Sequence, residues 1–334
     1  MDIHRRRFLQ LASSAALALA RPSSARAQSY PSRVVRIVVG FPAGGPLDIA
    51  ARTVAPFLSS HFGQAFVIEN RPGASGNTAA SEVVRAAPDG HTLLLCGPVY
   101  AINASLFENL DFDFARDITP VASIARVPLV IKVNPSVPAR SVPEFLAFAR
   151  DNPGRLRVAY AGVGTPQHIA IELFQFMTGV RVTLVPYPGS APALADLLRG
   201  EVDAMFDSAP SSMPHIRAGR LIALATTGPT RSEVLSHVPA MSEFVPGYEA
   251  GSWFGLGAPR DTPGEIVHLL NAAVNNGLAD QTVRARFREL DATVMPASPT
   301  EFGRFIDTET DRYRRVIRSA GIKPAPTGQP SRLP

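Results

Sequence analysis

Two turns of similar make carry the chemistry this chain can offer: FPAGGPLD, Phe41–Asp48, and GVGTPQH, Gly162–His168. Each follows a short apolar run and places a proline where a helix would begin. The two align without a gap at a spacing of 120 residues, matching Gly44 with Gly164, Pro46 with Pro166 and Asp48 with His168. The first turn of a helix presents unpaired N–H groups and about half a positive charge, and glycine lets a ligand approach the backbone closely. Each turn is thus suited to seat an anion. A carboxylate held between them would take charge-assisted hydrogen bonds of about 1.5–3 kcal/mol each. Thr165 adds a hydroxyl donor, and Asp48 and His168 either cap their own helices or orient a polar group of the ligand.

Other reactive residues form no catalytic pattern. FPAGGPLD lacks the lysine of a phosphate-binding loop, and GASGN lacks the spacing of a nucleophile elbow. Cys96, the only cysteine, ends an apolar strand and reads as a small buried hydrophobe. Asp203 and Asp207 in VDAMFDS share a strand face without an assignable acid or base partner. His61, His91, His168, His215, His237 and His268 are scattered, with no metal-binding spacing. The sequence therefore predicts no cofactor, no metal and no enzyme.

The elements that must position the turns alternate between strand and helix. Val34–Val39 reads as a buried strand, and Ile49, Ala50, Thr53, Val54, Phe57 and Leu58 form an apolar helical stripe ended by Gly63. Strands at Phe66–Glu69 and Thr92–Cys96 bracket a helix at Thr78–Ala86. The pattern recurs with a strand at Leu156–Tyr160, a helix at Ile169–Met177 closed by Gly179, and a strand at Val182–Pro186. It continues through SAPALADLLRG, VDAMF, SSMPHIRAG and LIALATT. This is an α/β chain whose expected sheets are mostly parallel and flanked by helices. VASIARVPLVIKV, Val121–Val133, and GSWFGLGAP, Gly251–Pro259, read as two crossings between lobes. The helices Pro263–Asn275, Gln281–Leu290 and Thr300–Ala320 would then return to the first lobe. Expected boundaries are 28–126 plus 250–334 for one lobe and 127–249 for the other. Two crossings make a hinge, and ligands of such sheets bind beyond the carboxyl ends of the strands.

The first 27 residues read as an export leader: HRRRFLQ with its twin arginine, an apolar run from Phe8 to Ala20, and Ala25-Arg26-Ala27 before the expected mature start near Gln28. Removing Arg5, Arg6, Arg7, Arg21 and Arg26 against Asp2 takes the net charge from +5 to +1. No basic tract remains for nucleic acid. Roughly 307 residues are left, room for two domains.

The run YPSRVVRIVVGFPAGGPLDIAARTVAPFLSSHFGQAFVIENRPGASGNTAASEVVRAAPDGHTLLL closely resembles the tripartite tricarboxylate transporter solute-binding proteins, also named the Bug family. So do AGVGTPQHIAIELF and YPGSAPALADLLRGEVDAMFDS, in collinear order. The resemblance implies a two-lobed periplasmic binding protein of the Venus flytrap kind (type II), closing on a small carboxylated or amidated solute. It further implies a monomer that delivers its solute to the membrane permease subunits of a tripartite transporter. It nominates Phe41, Ala43, Gly44, Asp48, Gly164, Thr165 and His168 as ligand-binding, with Ser75 and Asp207 as further candidates. Two departures fall where the distal end of a solute would sit. Tyr187 is followed by Pro188 where the family often has lysine, and CGPVYAIN replaces a segment usually rich in Gly, Ser and Thr. A receptor that docks on a sensor kinase is the alternative from another class, and an exported enzyme is the third.

Overall fold

The computed structural model describes residues 30–107, 109–319 and 321–322, so the leader expected at 1–27 lies outside the described residues. From Arg33 onward the chain forms one unit. Its strands are β1 (Val35–Val39), β2 (Phe66–Asn70), β3 (Thr92–Cys96), β4 (Ile118–Pro128), β5 (Val130–Val133) and β6 (Arg157–Tyr160). There follow β7 (Thr183–Pro186), β8 (Ala204–Asp207), β9 (Ile222–Thr226), β10 (Gly251–Pro259) and β11 (Thr293–Val294). They build two sheets, ordered β11-β4-β10-β3-β1-β2 and β7-β6-β8-β5-β9.

The helices that matter for the site are α1 (Pro46–Phe62), α2 (Asn77–Val84), α3 (Pro98–Leu106), α4 (Phe114–Asp117), α5 (Val142–Asp151), α6 (Pro166–Thr178) and α7 (Ser190–Arg199). After them come α8 (Met213–Arg217), α9 (Gly264–Ala279), α10 (Gln281–Glu289) and α11 (Pro299–Ser319). α1 begins at Pro46, whose fixed φ suits a first helical position, and ends where Gly63 adopts φ +66°. α6 repeats the plan, from Pro166 to Gly179 at φ +69°. α5 starts with Ser141 accepting from the Glu144 N–H, while Glu144 Oε2 accepts from the Arg140 N–H.

Both sheets are mixed rather than mostly parallel. β1 pairs parallel with β2 and β3, and β6 parallel with β7 and β8. The strands that carry the chain between sheets run against these: β10 is antiparallel to β3 and β4, and β5 to β8 and β9. A crossing strand enters its sheet from the far lobe, so its direction is set by the hinge and not by a covering helix.

The hinge is narrow. The stretch expected to cross, Val121–Val133, is two strands in two sheets separated by Leu129 alone. Gly251 pairs with Pro128, and the fully buried Thr227 ties the crossings together. Its hydroxyl accepts from the Leu129 N–H at 2.8 Å and donates to the Ala250 carbonyl at 2.6 Å. Its backbone N–H bonds Leu129 O at 2.9 Å, and its carbonyl accepts from Ala250 N at 2.9 Å.

α11 packs back on the first sheet through Phe302, Ile306, Tyr313 and Ile317. The second sheet has its own core around Phe145, Phe174, Phe206 and Tyr248. The Tyr248 hydroxyl donates to Ala170 O at 2.8 Å, anchoring the start of α6.

Candidate functional site

A cleft of about 650 Å³ lies between the two sheets. Both glycine turns reach it, because each leaves the carboxyl end of a parallel strand, β1 or β6. In the first, Gly44 takes φ +83° and gives its N–H to Asp48 Oδ2 at 2.9 Å. In the second, Gly164 takes φ +78° and gives its N–H to His168 Nδ1 at 3.3 Å. The residue four positions on therefore closes each turn from within.

Asp48 is only 2% exposed and is the hub of the first turn. It accepts from Arg52 at 2.8 Å and from Asn70 at 3.0 Å, while Asn70 also donates to Phe41 O at 2.9 Å. Burial pushes its carboxyl upward, but the hydrogen bonds from Arg52, Gly44 and Asn70 outweigh that and hold it below the usual carboxylate range. His168 is buried against Tyr160, ring centroids 4.9 Å apart, with Glu172 3.6 Å from its Nε2.

The nominated residues divide into two groups. Phe41, Ala43, Gly44, Thr165 and Asp207 line the cleft, and Asp48, Ser75, Gly164 and His168 do not. Ser75 Oγ donates to Val163 O at 3.3 Å, joining the segment before α2 to the second turn. A Cβ placed on Gly164 would lie 2.8 Å from Leu106 Cδ2 and 3.1 Å from Asn103 Oδ1, both on α3. The second turn is thus pressed against the other lobe. Asp203, expected to share a face with Asp207, precedes β8 and pairs with Arg157 at 2.9 Å. The two aspartates stand about 13 Å apart along the strand. Cys96 is fully buried, and burial pushes its thiol up.

Two further walls come from the segments where the sequence departs from the family, CGPVYAIN and the turn after Tyr187, and the fold adds that each begins a helix at the cleft. Pro98 and Val99 open α3, and Gly189, Ser190 and Ala191 open α7; all line the cleft beside Pro46, Leu47, Pro166 and Gln167. Four helix N-termini therefore converge there. The N-cap residues Gly45, Gly97 and Gly189 supply no side-chain cap, whereas Thr165 accepts from the His168 N–H. The signal was present in Gly-Pro at 97–98 and in the Gly189 turn, but only the fold shows that these helices point at the same space. Sequence reasoning missed Gln167: it lines the cleft, and its Nε2 donates to Asp207 Oδ1 at 2.9 Å.

The walls are largely apolar, formed by Phe41, Leu47, Val99, Leu194, Leu198 and Phe254 among others, and among the described residues no lysine or arginine lines them. Such a space can hold an anionic head group on uncapped helix ends and an apolar body against side chains. Among the described residues no group of His, Cys, Asp and Glu is arranged to hold a metal ion, and no helix is long and apolar enough to cross a membrane.

Comparison with known proteins agrees with this geometry. Residues 50–322 match the family described as the tripartite tricarboxylate transporter family receptor. The protein BugT of Bordetella pertussis (strain Tohama I) is 36% identical over 308 residues, covering 91% of this chain and 94% of its own. The solved structure of R. palustris Rpa4515 with adipate superposes with a TM-score of 0.84 at 43% identity, covering 89% of this chain and all of that one. MatC (Rpa3494) from Rhodopseudomonas palustris with bound malate gives 0.79 at 35% identity over 86% of this chain and all of its own. The chain belongs to the tripartite tricarboxylate transporter receptor family, the solute-binding receptors that include the Bug proteins.

Proposed function

We propose that the protein captures a small carboxylate in the periplasm and hands it to the membrane permease of a tripartite transporter, acting as a monomeric receptor and not as an enzyme. Export by the twin-arginine route, with removal of residues 1–27, completes this reading. The lobes that close are 28–126 plus 250–334 and 127–249. Its main support is the convergence of four helix N-termini, three without a side-chain cap, on a cleft that no lysine or arginine lines among the described residues. A carboxylate placed there meets main-chain donors and fixed dipoles already in position. A few charge-assisted bonds of about 1.5–3 kcal/mol each approach the ~8 kcal/mol of micromolar affinity, before ordering costs are subtracted. The adipate and malate bound by two relatives supply the same head-group chemistry.

Thermal unfolding of the exported, purified protein against a panel of small mono- and dicarboxylates tests the reading. A ligand that binds only the folded state raises the midpoint in proportion to the logarithm of its concentration over Kd. At least one carboxylate should produce a saturable rise, and uptake of that acid should fall when the protein is deleted. Stabilisation only by sugars or cations would overturn the proposal.

A further inference from the structure

One side chain in the cleft runs against the anionic reading. Asp207 lines the cleft although the ligand sought there is negative. It sits at the carboxyl end of β8, 1% exposed. Its Oδ1 accepts from Gln167, and among the described residues its Oδ2 has no hydrogen-bond partner. Asp207 is not among the buried polar atoms left without a partner; its second oxygen opens to the cleft and is free to accept from a water or from a ligand donor.

Lys132 shows that the charge on Asp207 is provided for. It is fully buried in β5 and absent from the cleft lining. The register pairs Lys132 with Met205 and Val130 with Asp207, which puts Lys132 and Asp207 on the same face of the sheet. Its Nζ donates to Ser208 O at 3.1 Å and to Ser212 Oγ at 2.7 Å. Burial lowers the ammonium to about 8, and the charge of Asp207 acts against that shift. The other titratable side chain on the wall, His215, has its Nδ1 2.5 Å from an Arg220 guanidinium nitrogen.

We infer that Asp207, with Lys132 behind it, is a specificity-determining acceptor, and that the solute is a carboxylate carrying a hydrogen-bond donor at a distance from its acid group. This rests on the carboxylate reading above. The helix ends take the acid, and Asp207 takes a hydroxyl, an ammonium or an amide N–H. A second ionised carboxylate at that place would meet a like charge and be disfavoured. Sites that hydrogen-bond a ligand group discriminate strongly against analogues lacking it, because the buried partner is then left unpaired.

Calorimetric titration of the purified protein with acids of matched chain length separates the possibilities: hexanoate, 6-hydroxyhexanoate, 6-aminohexanoate and adipate, with the corresponding four-carbon set. The donor-bearing acids should bind about 10–100-fold more tightly than the plain acid of the same length, the span expected for a hydrogen bond to a charged group. Asp207→Asn, checked for an unchanged melting curve, should remove most of the preference for the ammonium and improve the diacid relative to it. Lys132→Met should weaken the donor-bearing acids more than hexanoate. Plain acids binding as tightly as donor-bearing ones to the unaltered protein would overturn the inference and leave the carboxylate reading intact. Failure of every acid in both sets would overturn both.

Discussion

The two glycine turns look like copies and do different work. Both give the N–H of a left-handed glycine to the side chain four residues on, and both begin a helix with proline. Yet a Cβ on Gly44 would meet nothing within 4 Å, whereas one on Gly164 would strike Leu106. Gly45 leaves the start of α1 without a side-chain cap, while Thr165 caps α6. The first turn is open backbone facing the cleft. The second is finished backbone wedged against α3. One backbone solution has served both for an open seat and for a contact between lobes, the difference arising from what surrounds it.

The largest effect should come from Asp48→Ala. It leaves the Gly44 N–H and the Asn70 amide without their shared acceptor, while the half-exposed Arg52 turns to water, so stability should fall by about 2–5 kcal/mol and solute binding should be lost. Urea unfolding and calorimetry measure the two. His168→Ala removes one hydrogen bond and a buried ring stacked on Tyr160, so it should cost about 2–4 kcal/mol of stability but leave solute binding measurable. Loss of binding in both variants would erase the distinction drawn here. Next, Gly164→Ala combines a left-handed φ with the Leu106 clash and should destabilise by about 2–4 kcal/mol. Gly44→Ala meets the φ cost alone, about 1–2 kcal/mol.

A subtler pair concerns the caps. Gly45 has φ −79° and ψ 167°, an extended conformation any residue adopts. Gly45→Ser should stabilise the protein by a few tenths of a kcal/mol while weakening solute binding, because the new hydroxyl competes for the first-turn N–H groups. Thr165→Ala should instead cost about 1 kcal/mol of stability. The smallest signal is a pH dependence. Because the folded state depresses the Asp48 carboxyl, its contribution is complete above the ordinary carboxylate range and disappears as pH falls through its lowered value. Asp48→Asn should flatten that acid limb of the unfolding midpoint, and an unchanged limb would assign it to other carboxylates.

Much of this was readable from residue order. β1 running into Pro46, β6 running into Pro166, and the gapless match of Gly44 with Gly164 located both turns and their strand ends. What order could not show was direction. For Asp48 and His168 the sequence allows either capping or ligand contact, since a spacing of four does not say which N–H the side chain meets. Both meet the turn glycine. Nor could it show that α3 and α7 aim at the same cleft, because that depends on sheet order across both lobes. Lys132, one of only two lysines, belongs to no motif in the sequence. Its meaning appears only through the β5–β8 register.

Thr227 pins three chain segments at the crossing within the reach of one side chain. The closure proposed above would then be a swing about that pin and not a slide past it, with displacement growing with distance from it. The outer margins travel furthest for a given angle. On the receptor reading proposed above, a permease that senses those margins would tell a loaded molecule from an empty one without touching the cargo.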